Sequence, residues 1–436
     1  METGGRSIPP LKSLILDLPP SCIEFCPGYP DYFVVGTYNL QKEDNQAAVG
    51  DDEEQQQQQT GKSAQTRNGS LVLFRLLDDM DIKLVQTALY PSAILDLHFH
   101  PTREERNVLA VVSSTGTLSF FRLSASEESS VSLVEIATHK PLGNDDGILF
   151  LSCSWHPHIP ELLAITTSDF QVHILRITDS WDAYTTRSEP VITHSLEAWT
   201  VAFSSLLPRS LDSDENNPPE ENSQQFTMFS GGDDSKLFAT SCIFNQAQKS
   251  QVYGEDDLID APYTTIAFRG HEAGVTAILP LNLQILSTAS VIITGSYDDH
   301  IRVYIVDEQE TGIPQRPRLL AEQNLDGGVW RLKLIKLEKR GGSSSVSDQV
   351  VEGKADEQQQ WSALILASCM HAGSRVLEIT GNTATDTVGI RILGRFEEHK
   401  SMNYGSDFQP GSEQEGRNLR CVSTSFYDRL LCLWEY

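Results

Sequence analysis

The chain has 436 residues, 39% of them hydrophobic, and a formal charge of −27 from 60 acids and 33 bases. That length suits two or three ordinary domains or one large repeat fold. No apolar run approaches the ~18 residues of a membrane span, and the acidity argues against a nucleic-acid backbone as partner.

In chain order, the first segment is Met1 to Leu18. It lacks the basic flank and long apolar region of a signal peptide. Seven cysteines are sparse and odd in number, so the expectation is a cytoplasmic protein with reduced thiols. Next come short β-branched and aromatic runs bounded by turn residues, which predict strands. Each unit is one short strand followed by a strand–tight turn–strand pair. CIEFCP (22–27) precedes FVVGTYNL (33–40), which resumes as LVLFRL (71–76). LDLHFHP (95–101) precedes VLAVVSSTGTLSFFRL (108–123), and SCSWHP (152–157) precedes LLAITTSDFQVHILRI (162–177). TVAF (200–203) precedes MFSGGDDSKLFATSCI (228–243), and TAILP (276–280) precedes VIITGSYDDHIRVYIV (291–306). WRLKL (330–334) precedes LILASCMHAGSRVLEI (364–379), and SDFQP (406–410) precedes CVSTSFYDRLLCLWEY (421–436).

Seven copies predict an all-β fold: a single seven-bladed β-propeller over 1–436, because a blade buries its two faces only against its neighbours. Leu11–Leu18 is expected to supply the outer strand of blade 7 and so close the ring. Segments 42–69, 209–225, 254–260 and 341–358 hold 19 of the acids and 5 of the bases, which is −14 of the −27. They include DDEEQQQQQT (51–60) and GGSSSVS (341–347). Such stretches bury too little apolar surface to offset their ordering entropy, so 42–69, 209–225 and 341–358 read as disordered insertions.

The fifth copy resembles a WD repeat: Gly270-His271 precedes the inner strand, Asp298 sits in the tight turn, and Ile301-Arg302-Val303-Tyr304 follows. In that family the His and Asp are joined by hydrogen bonds that brace a blade. The series SAILDLHF (92–99), EAWTVAF (197–203), SGGDD (230–234), GSYDDH (295–300), GGVWR (327–331), CMHAG (369–373) and SFYD (425–428) is more particular. Together with CIEFCP and GTYNL it resembles the WD-repeat diphthine methyl ester hydrolase family of the diphthamide pathway, sometimes named diphthine methyltransferase. The resemblance implies hydrolysis of a methyl ester beside a trimethylammonium group on a modified histidine of elongation factor 2. It thus implies a carboxylic ester hydrolase, with that factor as protein substrate. The alternative is a non-catalytic scaffold that docks elongation factor 2 or an assembly partner. No metal, cofactor, nucleic acid or membrane is expected, and the protein is expected to be a monomer.

The usual esterase signature G-x-S-x-G is absent, as are H-E-x-x-H, C-x-x-C pairs and a Gly-rich phosphate loop. Propeller geometry narrows the search. Loops before inner strands and the tight turns open on one face. The loops contribute His194, Glu197, Trp199, Trp330 and Tyr404; the turns contribute Tyr38, Asp233, Asp234, Tyr297, His371, Tyr427 and Asp428. A trimethylammonium has no N–H to donate, so a cage of aromatic faces suits it. Trp199, Trp330, Tyr38, Tyr297, Tyr404 and Tyr427 are the candidate walls, with packing between blades as their structural alternative. His371 is the expected general base, because imidazole titrates near neutral pH; its alternative is a structural substitute for the usual turn Asp. Glu197, His98 and Glu24 complete the catalytic candidates. Aligned inner strands place Glu24, His98, Ser154, Ala202, Ala277, Lys333 and Asp407 at one position per blade. Lys333, Asp407, Glu24 and His98 then read as an acid/base network in the channel, or as a self-neutralising structural one.

Overall fold

The computed structural model describes residues 4–40, 67–125, 131–143, 145–207, 209–210, 223–245, 258–286, 289–307, 313–315, 317–340, 360–382, 386–414 and 416–436. The insertions 42–69, 209–225 and 341–358 lie mostly outside them. The described flanks Arg67–Gly69, Arg209–Ser210 and Ser223–Gln225 belong to strands.

The described residues form seven sheets, antiparallel except for one short strand, arranged as the blades of a propeller. The inner strands are Pro20–Phe25, Ile94–Phe99, Phe150–Trp155, Ala198–Phe203, Val275–Leu286, Arg331–Arg340 and Gly405–Phe408. Each touches the next around the ring, and the seventh touches the first. Second and third strands alternate apolar residues that interlock with neighbouring blades. Leu71 and Leu73 of blade 1 share a core with Leu109 and Val111 of blade 2. The outer strands of blades 3 and 4 are each split in two, around Pro190 and Pro262. Proline lacks the N–H that a continuous ladder needs, and an outer edge tolerates the break.

Ring closure has two parts. Lys12–Ile15 pairs antiparallel with Leu430–Glu435 and completes blade 7, as the sequence predicts. Arg6–Ile8 also pairs, in parallel, with the last strand of blade 6, at Gly394–Phe396. A three-residue strand is too short to show a periodicity, so the sequence does not reveal it. Lys12 then reaches Asp81 of blade 1 at 2.8 Å, and the N-terminal segment thereby touches blades 6, 7 and 1.

Blade 7 is anchored by Trp434, which is fully buried and stacked on Phe396 of blade 6 with centroids 5.0 Å apart. Its Nε1 donates to Ser423 Oγ at 3.0 Å. Trp434→Ala removes that filling and leaves a cavity, so unfolding in urea should show a loss of roughly 3–5 kcal/mol. A midpoint equal to wild type would mean the seam relaxes around the gap.

Candidate functional site: an aromatic mouth above an ionic channel

A repeated backbone bond builds the mouth. In six blades the first residue after the second strand donates its N–H to a carbonyl one to three residues before the inner strand. The pairs are Tyr38 to Pro19, Ser114 to Ala93, Ser168 to Leu149, Asp233 to Glu197, Tyr297 to Gly274, and Phe426 to Met402. Turn and loop side chains therefore gather on one face. In six blades the turn contains a left-handed residue: Gly116, Phe170, Ser235, Asp299, Gly373 and Arg429, with φ of 65°, 76°, 58°, 66°, 77° and 54°.

The six aromatic candidates form one contiguous belt. Trp330 lies 5.4 Å from Trp199, 5.8 Å from Tyr297 and 4.9 Å from Tyr404, centroid to centroid. Phe426 joins the remainder, at 5.6 Å from Tyr404, 5.1 Å from Tyr427 and 6.0 Å from Tyr38. The sequence reading includes the SFYD turn but omits Phe426 from the walls; its place beside Tyr427 is the signal that could have found it. The rings come from blades 4, 5, 6, 7 and 1. They are half-buried, and Tyr427 is exposed. Asp233 accepts a hydrogen bond from Trp199 Nε1 at 2.6 Å. Burial raises its pKa, and the neighbouring Glu197 and Asp234 add to that. A Cβ at Gly274 would stand 2.7 Å from Asp233 Oδ1 and 2.9 Å from the Tyr297 ring, so glycine permits this close approach.

Other rim candidates brace blades instead. His194 is buried and bonds Asp234 at 3.0 Å and Ser230 at 2.9 Å. Asp428 accepts from Lys400 N and Ser401 Oγ. In blade 5 the direct His–Asp bond expected from the WD repeat is absent among the described contacts. His271 bonds Thr294 at 2.8 Å, while Asp298 holds Glu272 N and Arg302, both at 2.8 Å. Glu197 is half-buried beside Asp233. His371 is exposed and makes no hydrogen bond or ion pair among the described residues. Nothing there orients its ring as a general base requires. Cys369 is buried, and burial pushes its thiol up to about 12, which leaves it protonated and a poor nucleophile.

Below the mouth, the channel holds the four ionisable groups that the alignment of inner strands brings together. Lys333 Nζ lies 2.7 Å from Asp407 and 3.3 Å from Glu24, and Glu24 lies 3.0 Å from His98 Nδ1. Two members escape the sequence reading. Asp96 lies 3.4 Å from His98 Nε2, and Arg331 reaches Asp96 at 2.7 Å. Each stands two residues before an identified member on the same strand, where period-two alternation returns a side chain to the same face. Arg331 of blade 6 thus meets Asp96 of blade 2 across blades 7 and 1.

The carboxylates also tie neighbouring inner strands together. Phe25 N donates to Asp407 at 2.7 Å, Phe99 N to Glu24 at 3.2 Å, and Cys153 N to Asp96 at 3.2 Å. Burial works against every charge here, but the partners outweigh it for most. Arg331 and His98 hold Asp96 well below the usual carboxylate range, and Lys333 and His98 lower Glu24. Asp407 is raised by burial, against the pull of Lys333. Burial opposes charge on His98, but Asp96 and Glu24 raise it to about 10. An unfolded histidine loses its proton near ~6.5. The stabilisation from His98 is therefore whole below that pH and is lost as pH rises toward 10. The urea-midpoint difference between wild type and His98→Gln should shrink steadily over that window. A difference that stays constant from pH 6.5 to 10 would show that His98 is neutral in the folded protein.

A separate cleft of about 390 Å³ lies away from the belt and the channel network, lined by His100, His158, Trp181, Glu104, Glu161 and Asp179 among others.

The chain is similar, over its whole length, to proteins named diphthine methyltransferase. The fission yeast protein of that name is 27% identical over 434 residues, covering 100% of this chain and 99% of its own. The budding yeast protein is 25% identical, covering 97% of each. The human protein is 25% identical, covering 91% of this chain and 74% of its own. No known family model matches the chain. Among solved structures, Sqt1 of Chaetomium thermophilum superposes with a TM-score of 0.51 at 11% identity, over 96% of this chain and 82% of its own. Sqt1 of the same organism, bound to the N-terminus of ribosomal protein L10, gives 0.51 at 11% identity, over 99% of this chain and 100% of its own. These two establish the propeller fold and no more.

The relatives' names correct the expected chemistry. They point to methylation of diphthine, which overturns both methyl ester hydrolysis and the carboxylic ester hydrolase class.

Proposed function

We propose that this chain works at the diphthine methylation step, on a modified histidine of elongation factor 2. The trimethylammonium head of that side chain enters the aromatic mouth. The observation that carries this reading is the contiguous belt of Trp199, Trp330, Tyr297, Tyr404, Phe426, Tyr427 and Tyr38, with Asp233 bonded to Trp199. Aromatic faces attract a quaternary ammonium through their quadrupoles, and a nearby carboxylate adds charge complementarity. The whole-length similarity to proteins named diphthine methyltransferase supports the substrate class.

Among the described residues no Gly-rich loop opens onto a helix, so they do not fit a nucleotide-type donor site of that kind. The described residues are assigned recognition of the methylated side chain. The test is the intact mass of the diphthine-bearing peptide of elongation factor 2 from cells with and without the chain. The expected result is a different number of methyl groups in the two samples. Identical masses would remove the reading.

A further inference from the structure

The channel's acids and bases differ in exposure. Asp407, Asp96 and Glu24 leave 1%, 2% and 15% of their side chains exposed, whereas Arg331, Lys333 and His98 leave 24%, 35% and 35%. The acids stand behind and the cations meet the solvent of the lumen.

Hydrogen-bonding capacity is uneven in the same sense. Asp96 accepts from Leu97 N, Cys153 N, Ser152 Oγ and Arg331, and it also meets His98. Asp407 accepts from Phe25 N, Phe408 N and Lys333. Glu24 accepts from Phe99 N, His98 and Lys333. These carboxylates are close to saturated. A guanidinium donates from all of its nitrogens, yet among the described residues Arg331 uses only Nη2. Lys333 spends two of its three N–H groups, on Asp407 and Glu24. At the corresponding positions of blades 3, 4 and 5 stand the small residues Ser154, Ala202 and Ala277.

We propose that the lumen beneath the aromatic mouth is a binding site for an oxyanion of the carboxylate or phosphate class, received by the spare N–H groups of Arg331 and Lys333. The buried carboxylates hold both cations in place, so little side-chain entropy remains to be lost on binding. The free edge of a planar guanidinium suits a partner with two oxygens. The oxyanion has two possible sources. One is a small free anion. The other is the carboxylate of a side chain whose ammonium sits in the mouth, and this source rests on the function proposed above.

The full chain is titrated calorimetrically with acetate, inorganic phosphate, choline and glycine betaine, which joins a trimethylammonium to a carboxylate. Two double variants, Arg331→Gln with Asp96→Asn and Lys333→Gln with Asp407→Asn, each remove a donor together with its buried counter-charge, and melting curves establish that they fold. Acetate or phosphate should bind the wild type saturably, and roughly 10- to 100-fold more weakly to the variants. In wild type alone, either anion should also raise the melting temperature. Betaine binding tighter than both choline and acetate supports the side-chain source; betaine no tighter than acetate supports the free anion. Either result upholds the lumen site. Acetate and phosphate without measurable binding, or with equal affinity for wild type and both variants, would overturn it. Choline failing to bind while the anions do would count against the aromatic cage and leave the lumen site standing.

Discussion

A chain lacking residues 4–18 should melt far below the full-length protein, out of proportion to the length removed. The deletion strips the outer strand from blade 7 and the parallel fifth strand from blade 6. It also breaks the Lys12–Asp81 bridge to blade 1. Ile8 and Leu16 are both buried, and the loss of these two side chains alone costs roughly 3–6 kcal/mol by apolar burial. The newly unpaired edges at Leu430–Glu435 and Thr387–Phe396 are templates for intermolecular pairing, so aggregation should accompany the early melting. Differential scanning calorimetry with light scattering reads both effects. A melting temperature equal to wild type would place the closure of the ring elsewhere. Deleting only residues 4–9 separates the two strands, since it spares the blade 7 pairing.

Trp330→Ala should weaken binding of the trimethylated side chain while the propeller remains folded. Trp330 is the centre of the belt, in contact with Trp199, Tyr297 and Tyr404. One lost cation–π wall is worth roughly 0.5–2 kcal/mol, or about a 2- to 30-fold rise in Kd. Trp330→Phe keeps a ring there and should recover part of the affinity. His371→Ala is the useful contrast, because its side chain is exposed and unpartnered; binding should be unchanged. The measurement is titration with a trimethylammonium-bearing diphthine peptide, beside thermal melting of each variant. Full affinity in Trp330→Ala would reduce the belt to packing between blades.

How much of the site could be read from sequence depended on the kind of signal. The grouping of the six aromatic residues was legible because each falls in a turn or loop whose place in the repeat assigns it to one face. His371 falls in the same class and is nonetheless isolated, since a turn position specifies a face but not a neighbour. His194 and Asp234 looked like mouth residues for the same reason, and they proved to be a buried brace. Four of the six members of the channel network were legible. Matching one position per strand found Lys333, Asp407, Glu24 and His98, but it passed over Asp96 and Arg331 two residues upstream.

Strand order, the number of blades and the closing strand near Leu11–Leu18 were all contained in the chain's own pattern. These follow from local physics: the alternation of strands, the chemistry of tight turns, and a repeat that cannot bury its faces alone. Contacts across the ring carry no such local mark. Arg331 and Asp96 are separated by 235 positions in the chain, and neither residue type demands the other. The parallel strand Arg6–Ile8 is too short to announce itself, and Phe426 joins the rest of the belt only because Tyr404 and Tyr38 come to it from two other loops. Closure of the propeller decided those contacts. It brings distant inner strands to a common axis, where the desolvation of each buried charge makes a partner obligatory.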